Sequence, residues 1–275
     1  MIDIKHFEPN KRISKYVRKI SLFNSKGKIK FKQKLTPSAY TYFSYNHKDI
    51  PISIFGDKKV RPKSRLMIAG PKINEDIFVE YNGDLFQILI EFNASGFYYL
   101  FHHSPLEFVN GLSDLKTCGK DISSDQLEKE LLHCKDLESM VKLLEEFLSD
   151  MLQNALPFVD YIEKALSIIE KNHGNINVGY TAKEIGISER QFDRKFREIV
   201  GISPKRYAKL YQLHYVINLM NLKTYKSIQD LAFQAEFYDL AHFTNRFKEL
   251  TGFSPTEFLK SKKHIALKYF NDLLR

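Results

Sequence analysis

The chain has 275 residues, 42 Lys+Arg against 33 Asp+Glu, a formal net charge of +9, and 43% hydrophobic residues. That length fits two domains of roughly 100–150 residues, and the composition excludes a disordered tail or a fibrous protein. Only Cys118 and Cys134 are present, so a disulfide scaffold is excluded, and no run of about 18 apolar residues spans a membrane. The opening MIDIKHFEPNKR lacks the apolar stretch of a secretory signal, which makes the reducing cytoplasm the expected compartment.

Charge is unevenly spread. Residues 11–72 hold 17 basic and 2 acidic side chains, residues 73–152 hold 5 and 16, and residues 153–275 hold 19 and 13. A basic surface facing an acidic one accounts for the first two segments, with an anion-binding face as the alternative.

From Tyr16 to Phe92 the pattern has period two. In Lys28–Leu35 the residues Ile29, Phe31 and Leu35 alternate with lysines, which predicts a strand with one buried face and an edge protected by charge. Further short runs at 40–45, 51–55, 65–69, 77–81 and 85–92 are separated by turn residues, and Asn82-Gly83 is a hairpin signal. Six or seven short strands predict a small antiparallel barrel or sandwich. The aromatics Phe31, Tyr40, Tyr42, Phe43, Tyr45, Phe78, Phe86 and Phe92 fill its core or line a cavity for an apolar effector.

Past Asn93 the period changes. Leu127, Leu131, Leu137, Met140, Val141, Leu144, Phe147, Leu148 and Met151 form a helical stripe. It packs on the strands or forms the seam of a homodimer through 127–152. Residues 153–157 then make a short linker, with Pro157 in a first helical turn.

The second half contains a duplication. FDRKFREIVGISPKRYAK (192–209) and FTNRFKELTGFSPTEFLK (243–260) align at a constant offset of 51. Each copy predicts a helix stopped by glycine and a Ser-Pro start to the next, with a capping box at Ser254/Glu257. Short helices and tight turns precede both copies, at 181–188 and 227–239, so two helix-turn-helix units are expected. With Phe192 and Phe196 inward, Arg190, Asp193, Arg194 and Arg197 lie outside. With Phe243 and Phe247 inward, Ala241, His242, Asn245 and Arg246 do. Such positions reach base edges in a major groove, arginine to guanine and asparagine to adenine. A helix over 204–221 spans ~27 Å and separates the two heads by about one DNA turn.

These residues resemble the C-terminal domain of the AraC family of bacterial transcription regulators over 158–260, most specifically in ISERQFDRKFREIVGISPKRY (187–207) and FYDLAHFTNRFKELTGFSPTEF (237–258). The resemblance implies two recognition helices in successive major grooves. It places base reading at Arg190, Asp193, Arg194, Leu240, Ala241, His242 and Asn245, and phosphate contacts at Arg197, Lys205, Arg206 and Lys248. Thr181 stands where the family usually has leucine, Glu236 where it has glycine, and Asn245 where arginine is common. If Glu236 takes a positive φ, that costs roughly 1 kcal/mol. The apolar Leu240 and Ala241 point to the first unit as the source of most specificity.

More faintly, LTPSAYTYFSY (35–45), IAGP (68–71) and ILIEFNASGFYYLF (88–101) resemble the cupin-like sensor domain of many family members. The reading is therefore an α+β chain. Residues 1–152 form a β-rich regulatory or dimerisation domain, 153–157 a linker, 158–262 a double helix-turn-helix domain, and 263–275 a C-terminal helical tail. The expected partners are double-stranded DNA, a small-molecule effector of the first domain and, for an activator, RNA polymerase, with no membrane. A constitutive architectural DNA binder is the alternative. A cupin-type enzyme would need clustered metal ligands, and His47, His102 and His103 are poorly spaced for that. No nucleotide or nucleophile-elbow motif occurs, so no cofactor, metal or catalytic residue is expected.

Overall fold

The computed structural model describes residues 2–73, 76–119 and 123–260. The expected tail at 263–275 lies outside the described residues. The chain divides into two compact units. The first comprises 1–34, 40–159 and 195–202, and the second 35–39, 160–194 and 203 onward.

The first unit is built on two antiparallel sheets. One has the order β1 (Ile2–Phe7), β2 (Val17–Ser25), β9 (Phe86–Phe92), β4 (Tyr42–Asn46), β7 (Leu66–Ala69), β10 (Leu112–Asp114). The other has the order β3 (Ile29–Lys34), β8 (Ile77–Gly83), β5 (Ile52–Phe55), β6 (Lys58–Val60). The lysine-bearing β3 is an edge strand. Phe31 stacks on Tyr81 at 4.8 Å and Lys32 sits over the Phe78 ring at 4.5 Å. Inward residues such as Ile20, Leu22, Phe43, Tyr45, Ile68, Ile88 and Ile90 form the core.

One expectation is corrected here. Asn82-Gly83 makes no hairpin. It ends β8, with Gly83 opposite Ile29, and the chain then passes to β9 in the other sheet. Both strands already have two neighbours, so neither has a free edge for the other. The turn is fastened differently, by Asp84 N donating to Asp49 Oδ2 at 2.8 Å. Strands β1, β2, β6 and β10 also add to the runs named from the sequence.

The stripe from Leu127 to Leu152 is two helices, α2 (Ser124–His133) and α3 (Leu137–Met151), after the short α1 (Gly96–Phe101). Cys134 is extended, and Asp136 opens a new helix with a reciprocal box in which Ser139 N donates to Asp136 Oδ1 at 2.8 Å. Leu127, Leu131, Met140, Leu144 and Leu148 are buried in the core with the six-stranded sheet's residues. The stripe thus packs on the strands.

Pro157 lies ahead of, not within, the next helix, α4 (Asp160–Lys171). Leu156 N donates to the Tyr99 carbonyl at 2.9 Å and Val159 N to Tyr99 Oη at 2.9 Å. Two backbone amides bound to one tyrosine keep this stretch extended.

Helical structure follows from α4 onward: α5 (Val178–Glu184), α6 (Glu189–Val200), α7 (Pro204–Leu222), α8 (Ile228–Gln234), α9 (Leu240–Thr251) and α10 (Pro255–Lys260). Helix α7 has 19 residues and is about 28 Å long, close to the expected rod.

Candidate nucleic-acid interface

Each helix-turn-helix unit is assembled from caps written in the sequence. In the first, Asn177 Oδ1 accepts from Tyr180 N at 3.0 Å and starts α5. Gly186, at φ 79°, closes it. Ser188 and Gln191 exchange bonds that start α6, Gln191 N donating to Ser188 Oγ and Ser188 N to Gln191 Oε1, both at 3.3 Å. Gly201, at φ 88°, ends α6, and Ser203 Oγ accepts from Arg206 N at 3.2 Å to start α7 at Pro204. In the second unit Ser227 caps α8, and Asp239 Oδ1 accepts from His242 N at 2.6 Å to start α9. The expected Ser254/Glu257 capping box is present, with Ser254 N donating to Glu257 Oε2 at 2.8 Å.

The faces follow from burial. Phe192, Phe196, Ile199 and Val200 are buried along α6, leaving Arg190, Arg194 and Arg197 exposed and Asp193 half-buried. Along α9, Phe243, Phe247 and Leu250 are buried, while Leu240, Ala241, His242, Asn245 and Lys248 are exposed. Lys205 is exposed. Arg206 and Arg246 are not on the open surface. Both are half-buried, and Arg246 Nη1 lies 3.7 Å from Glu249 Oε2. Burial pulls the Arg206 guanidinium below its ordinary value, with Arg246 adding to the effect and Glu249 opposing it.

The two turns differ. In both units an amide reaches back five residues to the first helix, Ile187 N to the Ala182 carbonyl at 3.1 Å and Phe237 N to the Ala232 carbonyl at 3.0 Å. In the first, the cap Ser188 follows at once. In the second, Tyr238 intervenes before Asp239, and its side chain is 95% exposed. The second turn is one residue longer. Glu236 does occupy the left-handed position, at φ 58°, where the first unit has Gly186.

Among the described residues no group of three or more His, Cys, Asp or Glu is placed to hold a metal ion. His47 Nδ1 lies 2.9 Å from Tyr45 Oη, and His102 Nε2 lies 2.6 Å from the Asn154 carbonyl. Cys118 is buried, which pushes its thiol up to about 12. No described helix is long and apolar enough to cross a membrane.

A two-sheet domain followed by two capped helix-turn-helix units on one connecting helix defines the class: a double helix-turn-helix protein with an N-terminal β domain. Residues 181–261 match the family model described as "Helix-turn-helix domain", and this C-terminal region is a helix-turn-helix domain of the AraC type. Across 97% of this chain and 98% of that one, the fold resembles ToxT from Vibrio cholerae O395 in complex with (E)-4-(8-methylnaphthalen-1-yl)but-3-enoic acid, at 13% identity and a TM-score of 0.50. Another structure of ToxT from the same organism covers 94% of this chain and 96% of that one, at 13% identity and a TM-score of 0.48. A transcriptional regulator from Chromobacterium violaceum, described as of the AraC-type DNA-binding domain-containing proteins, is 25% identical over 36% of this chain and 88% of its own, with a TM-score of 0.32. No curated protein sequence matches the chain.

Proposed function

We propose that this chain is a sequence-specific DNA-binding transcription regulator whose helices α6 and α9 read successive major grooves. The observation that carries the reading is the pair of capped units that bury Phe192/Phe196 and Phe243/Phe247 and leave Arg190, Arg194 and Arg197 of α6 and His242, Asn245 and Lys248 of α9 outside. In the first unit Arg190, Asp193 and Arg194 read bases, and Arg197 contacts phosphate. In the second, Leu240, Ala241, His242 and Asn245 face the bases and Lys248 the backbone. Lys205 and the half-buried Arg206 and Arg246 supply positive charge beside them. An arginine fork matches guanine, whereas Leu240 and Ala241 offer only apolar contact to a thymine methyl. The first unit therefore contributes most of the discrimination.

Residues 1–152 regulate and 158–262 bind DNA, joined by 153–157. An effector in the first domain, or dimerisation of it, shifts a pre-existing equilibrium in how the two heads engage DNA. Support for an effector comes from ToxT, which has been solved with an aryl-substituted butenoic acid bound. The protein acts in the bacterial cytoplasm as a regulator rather than an enzyme, and as an activator it would contact RNA polymerase. Selection of bound sites from a random duplex pool at physiological salt tests the reading. Two short boxes about 10 bp apart are expected. Binding without enrichment that vanishes as salt rises would reject sequence-specific recognition.

A further inference from the structure

The second of the two compact units contains a cavity of about 160 Å3, beside the second helix-turn-helix core, since its lining residue Phe237 packs on Phe243 at 5.1 Å. Three stretches wall it: the turn 174–178 after α4, one face of α7, and the second turn with the start of α9. Lys205 and Lys209 are one helical turn apart on α7, and His242 and Arg246 are one turn apart on α9, so each helix presents two such groups to the same space. Three permanent cations therefore line the cavity against one carboxylate, Glu236, whose Oε2 already accepts from Asn175 Nδ2 at 3.3 Å. Glu249 offsets part of the Arg246 charge from 3.7 Å. Arg246 Nε is buried with no hydrogen-bond partner among the described residues.

Two of the walls are in direct contact. Gly174 has φ +84°, and a Cβ there would run into the Ala208 carbonyl oxygen, so the turn lies directly against α7. Burial lowers the Lys209 ammonium from its ordinary value. Arg246, Lys205 and Arg206 lower it further, while Glu249 opposes them. Half-buried cations held together with too few carboxylates destabilise one another until an anion enters.

We propose that this cavity binds a single phosphate-class oxyanion, gripped by Lys209 and Arg246, with the exposed Lys205 and His242 at its mouth. The oxyanion comes from one of two sources, a phosphodiester of the duplex or a free phosphate group. The first source rests on the DNA-binding reading above; the second does not.

The test uses full-length protein without DNA, titrated calorimetrically with inorganic phosphate at pH 7 against chloride of matched ionic strength. One phosphate per chain is expected. Lys209→Gln and Arg246→Gln should each weaken it about tenfold, the scale of one charge-assisted hydrogen bond. Lys226→Gln, an exposed lysine outside the cavity, should leave it unchanged. The titration is repeated on the protein–duplex complex. Competition between phosphate and duplex, with a salt slope reduced by about one in Lys209→Gln but not in Lys226→Gln, assigns the site to a duplex phosphodiester. Undiminished phosphate binding to the complex assigns it to a free phosphate. The proposal is overturned if wild type shows no binding beyond chloride while Lys209→Gln also leaves duplex affinity and slope unchanged, or if Lys226→Gln weakens phosphate equally. Failure of duplex binding alone would reject the regulator and leave the phosphate titration standing.

Discussion

Gly174→Ala tests whether the turn after α4 is fixed against α7. Its proper comparison is Gly186→Ala. Both glycines are left-handed, at φ +84° and +79°, but a Cβ on Gly186 meets nothing within 4 Å. At Gly186 the left-handed conformation costs alanine ~1–2 kcal/mol, and the stiffer unfolded chain returns about 0.4–1, leaving a net loss of about 0.5–1 kcal/mol. At Gly174 the new methyl would also overlap the Ala208 carbonyl and lie 2.8 Å from Gln212 N. Neither is the yielding end of a side chain, so the backbone must shift at a further ~1–3 kcal/mol, for a total of about 2–4. Urea unfolding of full-length protein, combined with hydrogen exchange of the α7 amides, separates this unit from the β domain, whose melting need not coincide. Equal losses in the two variants would refute the close approach, and with it a rigid wall for the cavity.

Arg194→Ala should relax preference at particular base pairs, whereas Lys248→Ala should weaken all duplexes alike and reduce the salt slope by about one; identical behaviour in a binding titration would void the division of roles. Phe243→Ala removes a fully buried ring and should cost about 3–5 kcal/mol, read as loss of cooperative helical melting in the second unit. Ellman's reagent should modify the half-exposed Cys134 in the native protein and spare Cys118, whose thiol is buried and pushed up to about 12; rapid reaction of both would show that Cys118 is accessible. Hydrogen bonds hold two carboxyls low, Asp136 through Ser139 N first and Glu257 through Ser254 N first. A lowered folded value means a contribution present above the unfolded value near pH 4 and lost as pH falls through the folded one. Asp136→Asn should accordingly flatten the dependence of the urea midpoint between pH 3 and 6, and an unchanged profile would count against the cap.

The sequence made local chemistry legible and tertiary choices not. Alternation identified the principal strands, and the glycine and Ser-Pro signals located the end of α6, the start of α7, the end of α9 and the start of α10, because caps and pleats are settled within a few residues. Asn82-Gly83 misled because partner choice belongs to the sheets: β8 pairs with β3 and β5, and β9 with β2 and β4. The apolar stripe read as continuous because Cys134, Lys135 and Asp136 interrupt it without glycine or proline. On α6 and α9, the exposure of Arg190, Arg194 and Asn245 was readable from the phenylalanine spacing alone. The constant offset of 51, anchored downstream, concealed Tyr238. The partnership of Lys209 with Arg246 depends on how α7, α9 and the 174–178 turn meet, which no periodicity encodes.

The unequal turns have a directional consequence. Duplex DNA looks the same from either strand, and a symmetric dimer on a palindrome cannot tell upstream from downstream. A single chain whose heads differ, one entered through Gly186 and Ser188, the other through Glu236, Tyr238 and Asp239, has a front and a back. On DNA it would point one way along the duplex, so reversing its site relative to a start point would present the opposite end of the protein to whatever transcribes from there.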